Sequence, residues 1–507
     1  MRRGKGAIRL ACVCAALLVL PAAAAGSGST TRASTATGGG QGNGASFVPA
    51  ISADGRYVAF YSDASNLVPG DTNGARDVFV RDMQTGETTR VSVSSSGAEA
   101  NGDSFAPALS SDGRYVAFSS AATNLVDGDT NDANDVFIRD RQANTTTRVS
   151  VGFDGSEANG GSDQPSLSGD GSLVAFTSVA SNIVNGDANN LRDAFVYNRQ
   201  TGAAQDVSVS TEGVQSDLES ATPVLSANGK FVAYSSFGDN LIPDDENEGN
   251  DIFVRDLTAN TTERVSEFTG NYEAEGDSQR PSISADGRYV AFDSDDWDLV
   301  WGDTNDSFDV FVNDRATTIT TRVSVDDNGT QSNADSFRPS ISADGRYVAY
   351  YSEASNLVSG DTNGGTDVFV YDRRSGATKR VSVAAGGEEA SGDSVRPAID
   401  GSGHLAAFES DASNLVPGDT NRFTDVFVRD PLGVPPPAPP VKCKVPRVIG
   451  MRLAVARKKI ADANCNTGSV RRVRAAKQRA GKVLSQSPRA GLVRPRATKV
   501  NLVVGKR

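Results

Sequence analysis

The chain has 507 residues, a formal net charge of −13 and a hydrophobic content of 38%. This content is normal for an all-β protein with long polar loops, and no segment is long and apolar enough to span a membrane. Residues 26–440 hold 27 basic and 62 acidic residues, whereas residues 441–507 hold 19 basic residues and one acid. An acidic body joined to a basic tail indicates two partners, or one part docking onto the other.

The N-terminus has the three parts of a secretory signal. Four basic residues fall within the first nine, an apolar stretch runs from Leu10 to Leu20, and Ala23 to Ala25 offer a small-residue cleavage site. This arrangement predicts a signal peptide over residues 1–25. We therefore expect a secreted, extracytoplasmic protein.

A block of 58 residues then recurs seven times without insertion or deletion. Each copy is marked by one proline, at Pro49, Pro107, Pro165, Pro223, Pro281, Pro339 and Pro397. Self-similarity at a fixed period indicates a repeat architecture. One unit copied seven times also favours a scaffold over seven active sites.

Each unit has the pattern of four short strands. In the first unit we predict strands at Val48–Ser52, Arg56–Ser62, Asp77–Asp82 and Thr88–Val93. An Asp-Gly pair between the first two predicts a type I′ hairpin turn. A phenylalanine in every third strand, Phe79 in the first unit, predicts core packing between the sheets. Together these features predict an all-β fold, a seven-bladed β-propeller over residues 26–432.

The seventh unit ends at Asp430 without a fourth strand. One period before Thr88–Val93, the residues Thr30–Thr35 match that strand at four of six positions. The sequence therefore predicts that an N-terminal strand closes the last blade, which also hides a strand edge.

The blade pattern resembles the TolB-type, WD-repeat-like propeller. The residues that carry this resemblance are the Ser-x-Asp-Gly turn with its apolar strand, as in Ser52–Phe60, and Asp-Val-Phe-Val-x-Asp, as in Asp77–Asp82. The resemblance covers residues 30–430 and implies a fold; propellers host many activities. The long connections, residues 63–76 and 94–103 in the first unit, leave from one face, where we expect a broad acidic rim.

The motif Asp-x-Asn-x-x-x-Asp recurs in the first of these connections. Carboxylate and amide oxygens at short spacing are ligands for a hard cation such as calcium. The alternative is that Asp and Asn bond their own backbone and fix the loop as Asx turns. The candidate calcium ligands that we single out are Asp71, Asn73, Asp77, Asp129, Asn131, Asp135, Asp303, Asn305 and Asp309.

Aromatic residues break the symmetry of the repeat in its fifth unit. Both tryptophans of the chain lie in one long connection there, where the first unit has Ser65 and Pro69. Aromatic side chains exposed on one sector could stack on a sugar or grip a peptide, and the alternative is local packing that stiffens the loops. The candidate ligand-binding residues are Trp297, Trp301, Phe308, Tyr272 and Phe268.

The sequence offers little support for catalysis. His404 is the only histidine and aligns with an exposed position beside a short turn, which favours a solvated side chain over a general base. No His/Cys cluster and no Gly-rich phosphate loop is present. Carboxylate pairs for glycoside cleavage are too abundant on the acidic rim to single one out.

The tail begins with a Pro-rich linker, residues 433–441, followed by a small α+β domain over residues 442–507. This domain resembles a PASTA domain in Val445–Gly450, Ala454–Arg457, Gly481–Pro488 and Lys499–Val504. Such domains are associated with peptidoglycan recognition in bacterial cell walls. Cys443 and Cys465 are the two cysteines that follow the signal segment, and in an exported domain they most simply form a disulfide.

These features predict a non-enzymatic, wall-associated binding or scaffold protein. The expected partners are peptidoglycan or an anionic wall polymer for the tail, and a protein or glycan for the propeller; export disfavours nucleic acid. The alternatives are a wall-directed carbohydrate hydrolase or lyase with its site on the rim, and a calcium-dependent adhesion module.

Overall fold

The structure is a computed structural model that describes residues 28–243, 245–269, 272–430, 443–463, 465–476, 479–494 and 498–506. The chain divides into two compact units, Met1–Val434 and Pro435–Arg507. The predicted signal peptide and the predicted Pro-rich linker lie outside the described residues. Each unit is described separately below.

The described residues of the first unit form seven four-stranded antiparallel sheets and one short hairpin, so the predicted all-β fold is confirmed. Blade 1 contains the strands Ser46–Ile51, Tyr57–Ser62, Asp77–Asp82 and Glu87–Arg90; blade 2 contains Ser104–Leu109, Tyr115–Ser120, Asp135–Asp140 and Thr145–Arg148; blade 3 contains Ser162–Leu167, Leu173–Ser178, Asp193–Asn198 and Ala203–Asp206; blade 4 contains Ser220–Leu225, Phe231–Ser236, Asp251–Asp256 and Thr261–Arg264; blade 5 contains Ser278–Ile283, Tyr289–Ser294, Asp309–Asp314 and Ile319–Arg322; blade 6 contains Ser336–Ile341, Tyr347–Ser352, Asp367–Asp372 and Ala377–Arg380. A two-strand hairpin, Glu267–Phe268 with Tyr272–Glu273, connects blades 4 and 5.

Blade 7 closes as the sequence predicts. It contains Ser394–Ile399, Ala406–Ser410 and Asp425–Arg429, and its outer strand is Thr30–Arg32 from the N-terminal side of blade 1. Arg32 donates to the Asp425 carboxylate at 3.0 Å. The two ends of the repeat are thereby joined within one sheet.

Backbone hydrogen bonds between successive short turns show that the ring is closed. The amide of Ala53 in blade 1 donates to Ser111 of blade 2, and the series continues from blade to blade until Gly401 of blade 7 donates back to Ala53 at 3.2 Å. A linear array would leave the first and last turns without this link. The seven sheets therefore form one seven-bladed propeller.

The turn between the first two strands differs from the predicted type I′ turn. Of its two central residues only Gly55 has a positive φ, 70°, and Ser52 pairs with Tyr57 across a loop too long for a two-residue hairpin. The glycine is required by packing as well, because a Cβ there would lie 2.3 Å from the Leu405 side chain of blade 7. The predicted turn type is therefore wrong, although the predicted hairpin is present.

The observed fourth strand begins one residue before the predicted one and ends three residues before the predicted end. It ends at Arg90, because the Ser92 hydroxyl donates to Asp77 and accepts from the Val78 amide, which removes the chain from the regular ladder. The same Ser–Asp contact recurs in the other blades, for example between Ser150 and Asp135.

A bulge precedes the marker proline in every blade. The residue before the proline has a φ between 49° and 54°, and the pairing of the first two strands shifts register there. Proline has no amide hydrogen and disfavours the helical region for its predecessor, so a two-residue bulge is a consistent solution. The bulge residues are Val48, Ala106, Gln164, Thr222, Arg280, Arg338 and Arg396.

The core lies between neighbouring blades. Each recurring phenylalanine of the third strand is fully buried and faces an aromatic ring of the second strand, as Phe79 does with Phe60 at 6.0 Å between ring centroids. Its predicted role in packing is confirmed. These buried residues are Phe79, Phe137, Phe195, Phe253, Phe311, Phe369 and Phe427.

The second unit is a small α+β domain, as predicted. Its helix, Leu453–Asp462, buries Ala456 and Ile460 against a three-stranded sheet of Asn466–Arg474, Lys499–Lys506 and Val483–Ser487. A second pair of short strands is Cys443–Lys444 with Val493–Arg494. Among the residues that the structure describes, no helix has the length and apolarity needed to cross a membrane.

Candidate functional site

The Asp-x-Asn-x-x-x-Asp motif is organised around an arginine. In blade 2, the guanidinium of Arg148 lies 3.1 Å from Asp135, 3.6 Å from Asp129 and 2.7 Å from Glu157. These residues come from the fourth strand, the third strand and the two long connections, so one cation holds both loops to the sheet. The corresponding arginines of the other blades are Arg32, Arg90, Arg264, Arg322 and Arg380.

The asparagine of the motif forms hydrogen bonds within its own loop and to the other long connection of the blade. In blade 1 the Asn73 side-chain oxygen accepts from the Ala75 amide, and its nitrogen donates to Asp77 and to the Ala100 carbonyl. This is the Asx-turn geometry that the sequence allowed as the alternative to metal binding.

Two of the arginine-centred clusters could hold a metal ion by the proximity of their carboxylate oxygens. They are Asp129, Asp135 and Glu157 in blade 2, and Asp245, Asp251 and Glu273 in blade 4. Burial, together with repulsion from Asp135, raises the pKa of Asp129 to about 6. Occupation of either cluster by calcium stays a prediction, and Arg148 and Arg264 already place positive charge there.

Blade 3 departs from this arrangement. The arginine position holds Asp206, whose carboxylate accepts from Ser208 and from the Gln215 amide. Asp193 of the same cluster is fully buried, and among the described residues its Oδ2 has no hydrogen-bond partner. Burial and the charge of Asp206 raise the pKa of Asp193 to about 7. Among the seven equivalent clusters of the described residues, this is the one in which the carboxylates lie together without an arginine.

The structure brings only some of the predicted aromatic residues together. Trp301 is 90% exposed and makes an edge contact with Phe268 at 5.6 Å between centroids, and Trp297 is 60% exposed. Phe308 instead packs against Phe337 of blade 6 at 5.1 Å. The side chain of Tyr272 lies outside the described residues. A ligand-binding role for this sector stays a prediction.

His404 is half-buried rather than fully exposed, and its amide donates to Asp400. It lies beside the short turn of blade 7, so its ring is at the opposite end of the blade from the long connections.

The central channel contains a cluster that the sequence analysis did not single out. Three successive bulge residues, Arg280, Arg338 and Arg396, line a cavity of about 250 Å³ together with their prolines and with Val48 and Thr222. The bulge residue and its proline are the third and fourth residues of a six-residue first strand, so the bulges lie near the middle of the channel. The sequence did contain a signal for this cluster, because an arginine precedes the marker proline in the last three units and in none of the first four.

The three arginines differ in their partners. Arg280 pairs with Asp293 at 2.7 Å, and Arg396 pairs with Glu409 at 2.6 Å, each within its own blade. The equivalent residue of blade 6 is Tyr351, and among the described residues the Arg338 guanidinium has no ion pair or hydrogen bond. The Arg338 side chain is exposed in the cavity; partial desolvation by the surrounding blades, with repulsion from Arg280 and Arg396, lowers its pKa.

The surface of the second unit is strongly basic. Residues 441–507 have a net charge of +18. Every Lys and Arg whose side chain the structure describes in this unit is exposed, and none of these forms an ion pair with a described residue. Examples are Arg457 and Lys458 on the helix and Arg471 and Arg472 on the sheet. Cys465 is buried, whereas the Cys443 side chain lies outside the described residues, so their pairing stays a prediction.

Comparison with known proteins supports the predicted organisation. Residues 444–506 match the PASTA domain model, so the predicted PASTA resemblance of the tail is confirmed. With the propeller described above, the chain has a seven-bladed propeller followed by a domain that matches the PASTA model. No curated protein matches the chain.

Several solved structures are similar to the chain at low identity. TolB from Acinetobacter baumannii is 15% identical with a TM-score of 0.36, and the match covers 66% of this chain and 62% of TolB. Oligogalacturonate lyase from Vibrio parahaemolyticus is 11% identical with a TM-score of 0.46, covering 79% of this chain and 93% of the lyase. Kuenenia stuttgartiensis hydrazine synthase is 14% identical with a TM-score of 0.40, covering 75% and 94%. These values are too low to support any argument about activity.

Proposed function

We propose that this protein is an exported, non-enzymatic binding protein of the bacterial cell wall, attached by its PASTA domain and presenting the propeller to a protein or glycan. The observation that carries the proposal is the PASTA match over residues 444–506. Peptidoglycan peptides and wall polymers carry carboxylate or phosphate groups, so an unpaired basic surface has suitable partners there.

The charge distribution of the tail supports this attachment. Its described cations are exposed and without acidic partners, so none of their charge is neutralised within the domain. Attraction between exposed charges is screened over about 8 Å at physiological ionic strength. We therefore expect wall binding that weakens as the salt concentration rises.

The propeller suits a presenting role because its ring is continuous. Strand pairing between Thr30–Arg32 and Phe427–Arg429 joins the two ends of the repeat, and the turns are hydrogen-bonded around the channel. Loops held on such a scaffold keep a fixed geometry, which favours binding at the long-loop face.

The test is co-sedimentation of the mature protein with purified peptidoglycan over a salt series. We expect the full-length protein to sediment at low salt and a version ending at Pro440 to remain in solution. A full-length variant with Arg471, Arg472 and Arg474 replaced by Gln should sediment less while both units stay folded. Equal sedimentation of the shortened version would exclude the tail as the attachment site, and release of soluble muropeptides during incubation would contradict the non-enzymatic role.

A calcium-dependent adhesion module is a second candidate, favoured by the two carboxylate clusters of blades 2 and 4. Calcium binding would raise the melting temperature, because a ligand of the native state stabilises it. Melting with added calcium and with a chelator tests this candidate, and equal melting temperatures would reject it.

A further inference from the structure

We propose that the propeller channel binds the C-terminal carboxylate of a peptide at Arg338. The inference rests on the proposed binding role of the propeller and is independent of wall attachment by the tail. The site is the cavity in the channel that is lined by the three bulge arginines of blades 5, 6 and 7.

The first argument is a comparison of these three blades. Blade 5 supplies Asp293 and blade 7 supplies Glu409 against their own arginines, at 2.7 and 2.6 Å. Blade 6 has the same bulge and the same arginine but places Tyr351 where the acid would be. The channel therefore contains two completed ion pairs and one guanidinium without an anion.

The second argument concerns the acids beside Arg338. Asp293 already accepts from the Arg280 side chain and from the Arg338 backbone amide, at 2.7 and 3.1 Å. Glu409 in the same way accepts from Arg396 and from the Val48 amide. Both carboxylates are hydrogen-bonded by their own blade and the next one. Asp293 attracts the Arg338 guanidinium at longer range, but among the described residues neither acid forms an ion pair or hydrogen bond with it.

The chemistry of the missing partner follows from the flanking blades. A carboxylate is the group that they place against their arginines, and its two oxygens match the fork of a guanidinium. An aromatic pair borders the position, because Phe337 contacts Tyr351 at 5.6 Å and Arg280 lies over the Phe337 ring at 5.4 Å. Apolar atoms next to the carboxylate would therefore also find contacts.

Charge and size favour the end of a peptide over other carriers of a carboxylate. The body surrounding the channel has a net charge of −35 over residues 26–440, which disfavours a polyanion and permits a ligand with one isolated negative charge. The cavity of about 250 Å³ is smaller than the roughly 300–1,000 Å³ of pockets for drug-sized ligands. The C-terminal end of a peptide that enters along the channel axis carries a single negative charge and is small enough for the cavity.

The experiment compares two probes that differ only at their C-terminus. N-acetyl-trialanine as the free acid and as the amide are titrated into the mature full-length protein at low salt, with binding followed by ligand-observed NMR. We expect the free acid to bind about tenfold more tightly or better, because a charge-assisted contact to the guanidinium is lost in the amide. Equal binding of the two probes, or no binding of either, would overturn the proposal.

Two variants locate the site and use substitutions that the repeat itself contains. Arg338→Gln reproduces the bulge residue of blade 3, where Gln164 has a φ of 54°. Tyr351→Glu supplies an internal carboxylate like Glu409 and retains the arginine. Both should abolish the preference for the free acid, whereas Arg374→Gln, which removes an exposed arginine beside the short turn of blade 6, should preserve it.

Further outcomes separate this proposal from its competitors. Melting curves show whether each variant is folded, and a folded Arg338→Gln variant that keeps the preference would overturn the assignment. Tighter binding of glucuronate than of the free-acid peptide would replace the peptide end by a sugar acid and so overturn it as well. The Arg471, Arg472 and Arg474 variant should bind the probe normally, which distinguishes failure of the channel site from failure of wall attachment.

Discussion

Blades 2 and 3 carry the same long loops but hold them with different charges. In blade 2, Arg148 lies among three carboxylates, whereas in blade 3 the same position holds Asp206 and the cluster is neutralised by no described cation. Two local hydrogen bonds of the loops are nevertheless kept, because Asn189 still caps its turn and Ser208 still bonds Asp193. The local hydrogen bonds thus fix the conformation of the loop, whereas the arginine stabilises the buried carboxylates that this conformation brings together.

The channel shows the same principle with the charges reversed. In blades 5 and 7 the bulge arginine forms an ion pair with Asp293 or Glu409, whereas the bulge arginine of blade 6 forms none with a described residue. In a repeat protein a charge that is paired in most copies has a structural role, so a copy in which the pair fails is the place to look for a ligand or for instability.

The largest effect is expected from breaking the network of blade 2. Arg148→Ala should lower the free energy of unfolding by about 3–5 kcal/mol, because it leaves buried Asp135 and its neighbours without a counter-charge. Urea unfolding measures this change, and Arg148→Lys is the control that keeps the charge but loses the multiple contacts. A change below about 1 kcal/mol would show that the acids do not need the arginine.

The reverse substitution in blade 3 should stabilise the protein at high pH. Burial raises the folded-state pKa of Asp193 to about 7, against an unfolded value of about 3.9, so the folded state binds the proton more tightly. That contribution is fully present below about pH 4 and is lost as the pH rises through 7. Asp206→Arg should therefore raise the free energy of unfolding by about 2 kcal/mol at pH 8 and have little effect below about pH 4.

The structure provides a precedent for this variant. In blade 5, Arg322 pairs with Asp303 and Asp309 while Gln331 occupies the position of Gln215. Asp206→Asn is the control, because it removes the like charge without adding a cation, and it should give a smaller gain. Destabilisation by Asp206→Arg at pH 8 would indicate that the acidic cluster is compensated in some other way.

The smallest effect is expected at the short-turn ends of the blades. Arg114 pairs with Asp140 at 2.5 Å, but the arginine side chain is 37% exposed. Arg114→Ala should therefore cost less than about 1 kcal/mol at neutral pH. The arginine helps to lower the pKa of Asp140 to about 2, so this contribution is present above pH 4 and disappears as the pH falls towards 2. A loss of unfolding free energy as large as that of Arg148→Ala would show that the buried Arg148 cluster is no more important for stability than the partly exposed Arg114–Asp140 pair.

The sequence was informative wherever a signal repeated. The 58-residue period predicted seven blades, the position of Thr30–Thr35 predicted closure, and the recurring Phe79 predicted packing between blades. It was less informative about local detail. The Asp-Gly pair predicted a hairpin but the wrong turn type, and the fourth strand ended early because the Ser92 side chain replaces a ladder contact.

The candidate sites divide in the same way. The spacing of Asp71, Asn73 and Asp77 was visible in the sequence. Their partner Arg90 comes from the fourth strand, and the sequence did not identify it. Arg338 could be read as a departure from the repeat, yet its missing counter-ion became visible only beside Asp293 and Glu409.

By itself, the sequence determined the number of blades, the way the ring closes and the presence of a separate basic domain, because each depends on periodicity or composition along the chain. Only the tertiary structure decided which charges are compensated. Ion pairs join residues from different strands and loops, and whether an acid stabilises, strains or leaves room for a ligand depends on what the fold places within a few ångströms of it.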